Sequence, residues 1–214
     1  MKDCKIIDID AGDGNKIKLI FAAYYQYGDG CLDYLQDFHD IQNNPGHPGV
    51  EHQMARAEEL KERYEKWQPI AVRNLLRKFS ELEPSFFPDA IFSPPTTALH
   101  LQEHLVRRFR DRYPEAIYLN EFIEQFEKDG KRNFCLRENA PSEVLSAKQI
   151  LILDDVYGKG DTIRLAMTQL GKNKSFVAIC LVSANSPDSE ASSDLRRIAI
   201  DTAKLRVRQW ESQG

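Results

Sequence analysis

Two adjacent aspartates after a short apolar run are the residues of this chain best suited to chemistry. Asp154 and Asp155 follow four apolar residues, Ile150–Leu153, and precede a turn that contains Gly158 and Gly160. Carboxylates in such a place accept hydrogen bonds from the vicinal hydroxyls of a sugar, or hold Mg²⁺ through their oxygens. The glycines permit a tight turn and a close approach of the backbone to a ligand.

The glycine turn leads into a predicted helix that Thr162 caps and Gly171 ends. The unpaired N–H groups and the positive dipole end of a helix start suit a phosphate. Sugar, phosphate and metal would then share one strand end, which is where open α/β sheets bind ligands. The turn has neither the G-x-x-x-x-G-K-[ST] spacing of a Walker loop nor a G-x-G-x-x-G fingerprint.

The segment ILILDDVYGKGDTI, residues 150 to 163, resembles the signature of the type I phosphoribosyltransferases. In that family an apolar strand, an acidic pair and a Thr/Gly-rich loop bind the ribose and 5-phosphate of phosphoribosyl pyrophosphate. The resemblance implies catalytic roles for Asp154 and Asp155, with Mg²⁺ bound by them directly or through ribose hydroxyls or water. It also implies a loop for the ribose 5-phosphate: Val156, Tyr157, Gly158, Lys159, Gly160, Asp161 and Thr162. An acidic pair after a strand also occurs in phosphoacceptor sites, in metal sites and in solvated loops.

Two other segments correspond in position to parts of the same family. A short strand, Asp89 to Phe92, precedes a loop where the family grips pyrophosphate. Hydroxyls and N–H groups could donate there, although proline has no N–H. We call this segment the early loop. It comprises Ser93, Pro94, Pro95, Thr96 and Thr97. The polar run from residue 120 to 132 corresponds to the family's flexible loop, with Lys128, Lys131 and Arg132 as its basic residues. The alternative for that run is a solvated hairpin tip.

Hydrophobic periodicity predicts an α/β fold with a central parallel sheet flanked by helices, as the resemblance implies. Residues 5–9 and 16–25 are predicted to form a hairpin in a small N-terminal accessory, or hood, region covering residues 1–50. The predicted core spans residues 51–190, and a C-terminal helix lies within residues 191–214. The expected helices cover residues 51 to about 67, 69–82, 98–110 and 194–210, and the further strands 116–119, 133–136 and 175–183.

Composition narrows the function classes. The net charge of −4 over 214 residues does not indicate nucleic-acid binding. No apolar run is long enough to cross a membrane and the first residues are no signal peptide, so we expect a cytoplasmic protein. The four cysteines form no C-x-x-C pair, which argues against a zinc site. We expect Cys180 to be a buried core thiol and Cys135 an inert thiol in a strand.

Within the family, the layout is most similar to the competence-associated, amidophosphoribosyltransferase-like branch without its zinc-binding N-terminus. Gly158 stands where the family has Thr or Ser. Asp161 brings a carboxylate into the phosphate loop, which would oppose a phosphate unless it turns away or is paired, with Lys159 as the candidate. No Arg or Lys follows the early loop until Arg107.

The resemblance implies Mg²⁺-dependent transfer of a phosphoribosyl group to a nucleobase or amine, with release of pyrophosphate. The alternative is a catalytically degenerate protein of the same fold that binds a ribose phosphate or nucleotide as a sensor; a third possibility keeps only the scaffold. Phosphoribosyl pyrophosphate or a related ribose phosphate is the expected ligand, and a homodimer or a protein partner is compatible with the family.

Overall fold

The computed structural model describes residues 4–10, 16–24, 50–94, 99–128, 131–158, 160–171 and 173–183. The strands are β1 (Lys5–Asp10), β2 (Lys16–Tyr24), β3 (Ala90–Phe92), β4 (Ile117–Tyr118), β5 (Ile123–Lys128), β6 (Lys131–Leu136), β7 (Gln149–Tyr157) and β8 (Ser175–Ser183). The helices are α1 (Val50–Leu82), α2 (Leu99–Arg112), α3 (Ser142–Ser146) and α4 (Asp161–Leu170), and a 3₁₀ turn covers Leu119–Phe122.

Six strands form one sheet in the order β1-β2-β8-β7-β3-β4. All neighbouring pairs in it are parallel except β1 with β2. Strands β5 and β6 form a separate antiparallel hairpin. The α/β class and the central, largely parallel sheet predicted from the sequence are confirmed.

Alternation along the strands divides the buried side chains between two cores, one on each face of the sheet. The first core joins strand residues such as Leu151 and Leu153 to α1 and α2, with Phe79 and Phe109 fully buried. The second core joins the alternate strand residues, such as Ile152, to α3, α4 and the β5–β6 hairpin. The sheet is therefore covered on both faces, which explains the continuous apolar runs of β7 and β8.

The two helices expected on either side of Pro69 are one helix of 33 residues, α1. The missing N–H of Pro69 does not end it, because Tyr64 and Val72 on either side pack into the same core. Near the start of α1, Met54 is exposed. Burial against the sheet begins only further along the helix.

Two strand expectations also changed. Strand β7 was expected to stop at Leu153 but continues to Tyr157, because β8 runs beside it as far as Ser183. The hairpin expected in the accessory region lies in the main sheet, where β2 pairs with β8 in parallel. Long-range pairing thus outweighs the low strand propensity of adjacent aspartates.

The helix expected at residues 194–210 falls outside the described residues. In the part of the chain that is described, no helix is long and apolar enough to cross a membrane. There Cys180 is fully buried, Cys4 is buried and Cys135 is half-buried, and none of the three forms a disulfide.

Candidate functional site

The carboxyl ends of β3 and β7 meet where the chain's direction across the sheet reverses. After β3 the chain passes through α2 to β4, on one side, whereas after β7 it passes through α4 to β8, on the other. The helix after β3 packs in the first core and the helix after β7 in the second. A crevice forms at such a switch point in open α/β sheets and is their usual ligand site. We call it the β3/β7 crevice, bounded by Ser93–Pro94, by Asp154–Gly158 and by Gly160.

The register aligns two of the predicted site segments at this crevice. Phe92, the last residue of β3, pairs with Ile152, so Ser93 comes beside Leu153 and one position before Asp154. Strand β7 continues five residues beyond Ile152, with β8 as its neighbour on the other side. The sheet edge is therefore stepped, and the early loop begins beside the acidic pair.

The two aspartates are buried within β7 instead of lying past its end. Asp154 is 4% exposed and Asp155 2%. The Asp155 N–H donates to Oδ1 of Asp154 at 3.0 Å, and the Val156 N–H donates to Oδ1 of Asp155 at 2.8 Å. Burial raises the pKa of Asp154 well above its usual value, and the neighbouring Asp155 carboxyl raises it further. The pair therefore favours holding a proton.

The thiol of Cys180 lies opposite Asp154 in the next strand. Burial raises the pKa of this thiol well above its usual value, and the charges of Asp154 and Asp155 add to the effect. It is consequently an inert core group, as predicted, since a protonated buried thiol is a poor nucleophile.

The glycine turn delivers the start of α4 to the crevice. Gly160 has φ 78° and ψ 10°, the left-handed conformation that favours glycine, and it is the N-cap residue. The cap makes no side-chain hydrogen bond. The expectation that Thr162 caps the helix is wrong, because Asp161 already begins it and Thr162 lies within its first turn. The predicted stop at Gly171 is confirmed, with its N–H donating to the Met167 carbonyl.

Asp161 is paired, but its partner is not the expected one. Nη2 of Arg164 lies 2.6 Å from Oδ1 of Asp161, in an i,i+3 pair on α4. Lys159, the expected partner, lies outside the described residues. The arginine offsets the negative charge at the helix start, where an uncompensated carboxylate would repel a phosphate.

The two glycines of the turn have very different surroundings. A Cβ at Gly158 would meet nothing within 4 Å, so a larger residue fits there. A Cβ at Gly160 would lie 2.9 Å from the Tyr157 ring and 3.2 Å from Nη1 of Arg164. Tyr157 is itself buried, and this burial raises the pKa of its hydroxyl. Its ring therefore packs over Gly160 and closes one side of the turn.

The start of the early loop is held by two side chains that sequence reasoning did not assign. The Asn120 side chain accepts from the Ser93 N–H at 2.9 Å and donates to the Ser93 carbonyl. Nε2 of Gln102 donates to the Pro94 carbonyl at 3.2 Å. Ser93 is fully buried, and its hydroxyl makes no hydrogen bond within the described residues. Pro95, Thr96 and Thr97 lie outside them.

The segment expected as a flexible loop forms the β5–β6 hairpin, which was the alternative prediction. Phe134 of β6 packs on Phe92, with ring centroids 5.1 Å apart, and so anchors the hairpin base at the end of β3. Lys128 pairs with Lys131 at the tip, and Arg132 pairs with Glu127. With six residues in each strand, the tip lies about 17 Å from the base.

Sequence reasoning missed three residues of the site: Asn120, Gln102 and Arg164. Asn120 and Gln102 bind the backbone of the early loop, and Arg164 pairs with Asp161 one helical turn away. Arg164 carried a readable signal, because Asp161 and Arg164 stand three positions apart in a predicted helix. Asn120 and Gln102 carried none. Asn120 is 27 positions from Ser93, and only the pairing of β3 with β4 brings it near.

The donor set of the crevice fits Mg²⁺ only in part. Carboxylate oxygens are the right ligands, and Asp154 and Asp155 supply them. Among the described residues, however, no group of three or more His, Cys, Asp or Glu side chains is placed to bind a metal. The pair could hold Mg²⁺ only together with oxygens of a substrate or of water.

Comparisons with known proteins give few matches. No family model matches the chain, and no curated protein matches it. Among solved structures, the purine phosphoribosyltransferase from Pyrococcus horikoshii Ot3 is similar at 18% sequence identity, with a TM-score of 0.39. The match covers 55% of this chain and 73% of that one. A likeness of this strength carries no argument about function, and it gives no support to the competence-associated branch.

Proposed function

We propose that the chain binds phosphoribosyl pyrophosphate, or a related ribose phosphate, in the β3/β7 crevice. The observation that carries this proposal is the meeting of an acidic pair with the start of α4 at the switch point of the sheet. Asp154 and Asp155 lie in β7, six and five residues before the N-cap glycine of α4, and no side chain caps the first N–H groups of that helix. Carboxylates suit vicinal hydroxyls and helix N–H groups suit a phosphate, so one ribose 5-phosphate would engage both.

The buried acidic pair suits a sugar better than a free solvated metal. The Asp154 carboxyl favours its protonated form because of its burial. Two ribose hydroxyls would supply donors that replace the proton on Asp154 and satisfy both carboxylates. The 5-phosphate would then lie at the residue 158–162 turn, where Arg164 offsets the charge of Asp161.

In a transferase of this kind, the acidic pair would orient the ribose and stabilise positive charge at its anomeric carbon as pyrophosphate leaves. The early loop, beginning at Ser93 and Pro94, would position the pyrophosphate, with Pro95, Thr96 and Thr97 proposed to continue this role. Lys128, Lys131 and Arg132 at the hairpin tip are proposed to neutralise its charge. Bound Mg²⁺, held by Asp154 and Asp155 through substrate or water oxygens, would supply further electrostatic stabilisation.

A second candidate is a sensor that binds the same ligand without turnover. The observation that favours it is the absence of Arg and Lys between Ser93 and Arg107. A transferase must neutralise leaving pyrophosphate, whereas a sensor need not. Both candidates predict ligand binding at the crevice, and only the first predicts release of pyrophosphate with a nucleobase or amine acceptor.

The deciding experiment is a calorimetric titration with phosphoribosyl pyrophosphate, with and without Mg²⁺. The test variant is Asp154→Asn/Asp155→Asn, which keeps the shape of both side chains and removes their charge. We expect binding to the wild type and at least a tenfold loss in the variant, about 1.4 kcal/mol. A pyrophosphate-release assay with a panel of bases and amines then separates transferase from sensor.

The matched control is Glu59→Gln/Glu65→Gln, which removes two carboxylates from exposed positions on α1. This control should bind as the wild type does, because neither residue lies near the crevice. Absence of binding at millimolar ligand would refute both candidates. Equal binding by wild type and the Asp154→Asn/Asp155→Asn variant would show that the ligand binds at another part of the chain.

A further inference from the structure

A groove between α1 and α2, lying on the first-core face of the sheet, has three arginines among its six lining residues. It encloses about 520 Å³, and its lining residues are Pro69, Arg73, His104, Arg107, Arg108 and Asp111. Three arginines and a histidine thus face a single carboxylate in a chain whose net charge is −4. The local excess of positive charge runs against the balance of the whole molecule.

The groove arginines differ from neighbouring arginines on the same two helices. Arg77 pairs with Glu81 at 2.8 Å, and Arg110 lies 3.6 Å from Glu121 and over the Tyr118 ring. Within the described part of the chain, Arg73, Arg107 and Arg108 form no ion pair, even though Asp111 lines the same groove. Among the described residues, the charge of these three arginines is therefore not offset by an ion pair.

His104 lines the groove, and the positive charge around it affects its pKa. Nη2 of Arg107 lies 3.3 Å from Nδ1 of His104. Partial burial lowers the pKa of His104, and the charges of Arg107 and Arg108 lower it further. The imidazole is thus kept neutral and does not add to the cationic charge, which leaves its Nδ1 free to orient the Arg107 guanidinium.

We infer that this groove is a binding site for a phosphate group, carried by a small phosphomonoester or by inorganic phosphate. Guanidinium groups match phosphate oxygens in pairs, and three of them can surround a dianion. A second, larger groove of about 1010 Å³ adjoins the first and shares Arg107 and Asp111 with it. Tyr113 and Tyr118 line that larger groove and would contact the body of a phosphomonoester.

The groove that would hold the phosphate is distinct from the β3/β7 crevice, and the inference does not depend on the proposed function. The adjoining larger groove reaches Ser93, at the wall of the crevice. The arginines of the groove between α1 and α2 belong to helices of the first core, whereas α4 belongs to the second. The two sites have a structural link, since α2 follows the early loop and Gln102 of α2 holds the Pro94 carbonyl. A phosphate bound between α1 and α2 would therefore contact the helix that positions one wall of the crevice.

The test is a titration of the full chain with sodium phosphate, and then with adenosine monophosphate, at constant ionic strength. The imidazole resonance of His104, assigned among the five histidines with a His104→Gln variant, serves as the local probe. We expect a saturable shift with half-saturation on the order of millimolar or below. Arg107→Gln/Arg108→Gln should raise the half-saturating concentration by at least about tenfold, because it removes two charge-assisted contacts.

Two further variants serve as controls, one for the loss of charge and one for the β3/β7 crevice. Lys66→Gln/Arg77→Gln removes the same charge from paired, exposed positions on α1 and should titrate like the wild type. Asp154→Asn/Asp155→Asn should also leave the His104 response unchanged, even if it abolishes ribose phosphate binding. No saturable His104 shift, or a shift that survives in Arg107→Gln/Arg108→Gln, would overturn the inference. Binding of a single-stranded oligonucleotide in the groove without any response to either phosphate probe would overturn it equally.

Discussion

At the scale of single residues, Asp154 combines deep burial with an ionisable group. The folded protein holds the proton of this carboxyl more tightly than the unfolded chain does, because its pKa is raised from 3.8 by burial. The stability it contributes is full below the unfolded pKa and is lost as the pH rises through the folded pKa. Near neutral pH, Asp154 therefore lowers the stability of the free protein, which is common for groups kept for function.

We accordingly expect Asp154→Asn to raise the Tm at about pH 7.5 by at least about 2 °C. The amide oxygen can still accept from the Asp155 N–H, and no charge has to be buried. The gain should shrink at about pH 4 and below, where the unfolded carboxyl is protonated too. Thermal unfolding at several pH values measures this, and a gain that is the same at every pH would contradict the explanation.

The two glycines of the turn give a matched pair of substitutions. Gly158→Thr should change the free energy of unfolding by no more than about 0.5 kcal/mol, because the site is open. It also adds a hydroxyl to the turn, and should tighten ribose phosphate binding if the crevice holds the 5-phosphate. Urea unfolding and calorimetry measure the two effects.

Gly160→Ala is the opposite case. We expect it to cost about 1–3 kcal/mol of stability, because Gly160 has a positive φ and a Cβ would press on the Tyr157 ring. The comparison is made by urea unfolding of both variants under the same conditions. If Gly158→Thr proves as destabilising as Gly160→Ala, the turn differs from the conformation described above.

At the scale of elements, the end of β3 is fixed by a side chain that takes the place of a strand partner. Asn120 pairs with both backbone groups of Ser93, where β4 has already ended at Tyr118. This amide does for Ser93 what a neighbouring strand does for Ala90 and Ile91. The geometry at the start of the early loop therefore depends on one residue of the 3₁₀ turn.

Asn120→Ala should lower the free energy of unfolding by about 1–2 kcal/mol, since two partly buried backbone groups lose their partner. It should also weaken phosphoribosyl pyrophosphate binding, because the early loop would no longer be held beside Asp154. Asn120→Asp is the control, because it keeps the acceptor for the Ser93 N–H and loses the donor. Its free energy of unfolding should fall between those of the wild type and Asn120→Ala. Unchanged affinity in Asn120→Ala would show that the early loop takes no part in binding.

At the scale of the whole molecule, the crevice depends on the register between β3 and β7. Asp89 holds that register at the other end of the two strands, where β3 and β7 begin. Its Oδ2 accepts from the N–H groups of Lys148 and Gln149 at 2.8 and 2.9 Å, and its own N–H donates to the Gln149 carbonyl. One carboxylate thus aligns the starts of two strands whose far ends meet at the crevice.

We expect Asp89→Ala to lower the free energy of unfolding by about 1–2 kcal/mol, because hydrogen bonds to a charged acceptor are lost at an exposed site. The amides of Lys148 and Gln149 should exchange with solvent faster, while those in the middle of β7 and β8 keep their protection. Asp89→Asn retains an acceptor and should lose less stability. If exchange at Lys148 and Gln149 does not change, another group holds the start of β7.

Local sequence determined the parts of this protein that depend on near neighbours. The apolar, β-branched run of Ser175–Ser183 marked β8 with its observed bounds, and Gly171 marked the end of α4, because strand patterning and helix termination act within a few residues. The α/β class followed from the same alternation of elements. The acidic pair and the glycine turn were recognisable as adjacent groups on one short segment.

Tertiary structure alone decided how far elements extend and which segments meet. Strand β7 runs through Asp154 and Asp155 because β8 pairs with it, and α1 continues through Pro69 because a single core covers both halves. Asn120 reaches Ser93, and Arg73 of α1 joins Arg107 of α2, only once the sheet and its helices are assembled. These contacts join residues far apart in the chain, and their free energy is absent until the fold forms.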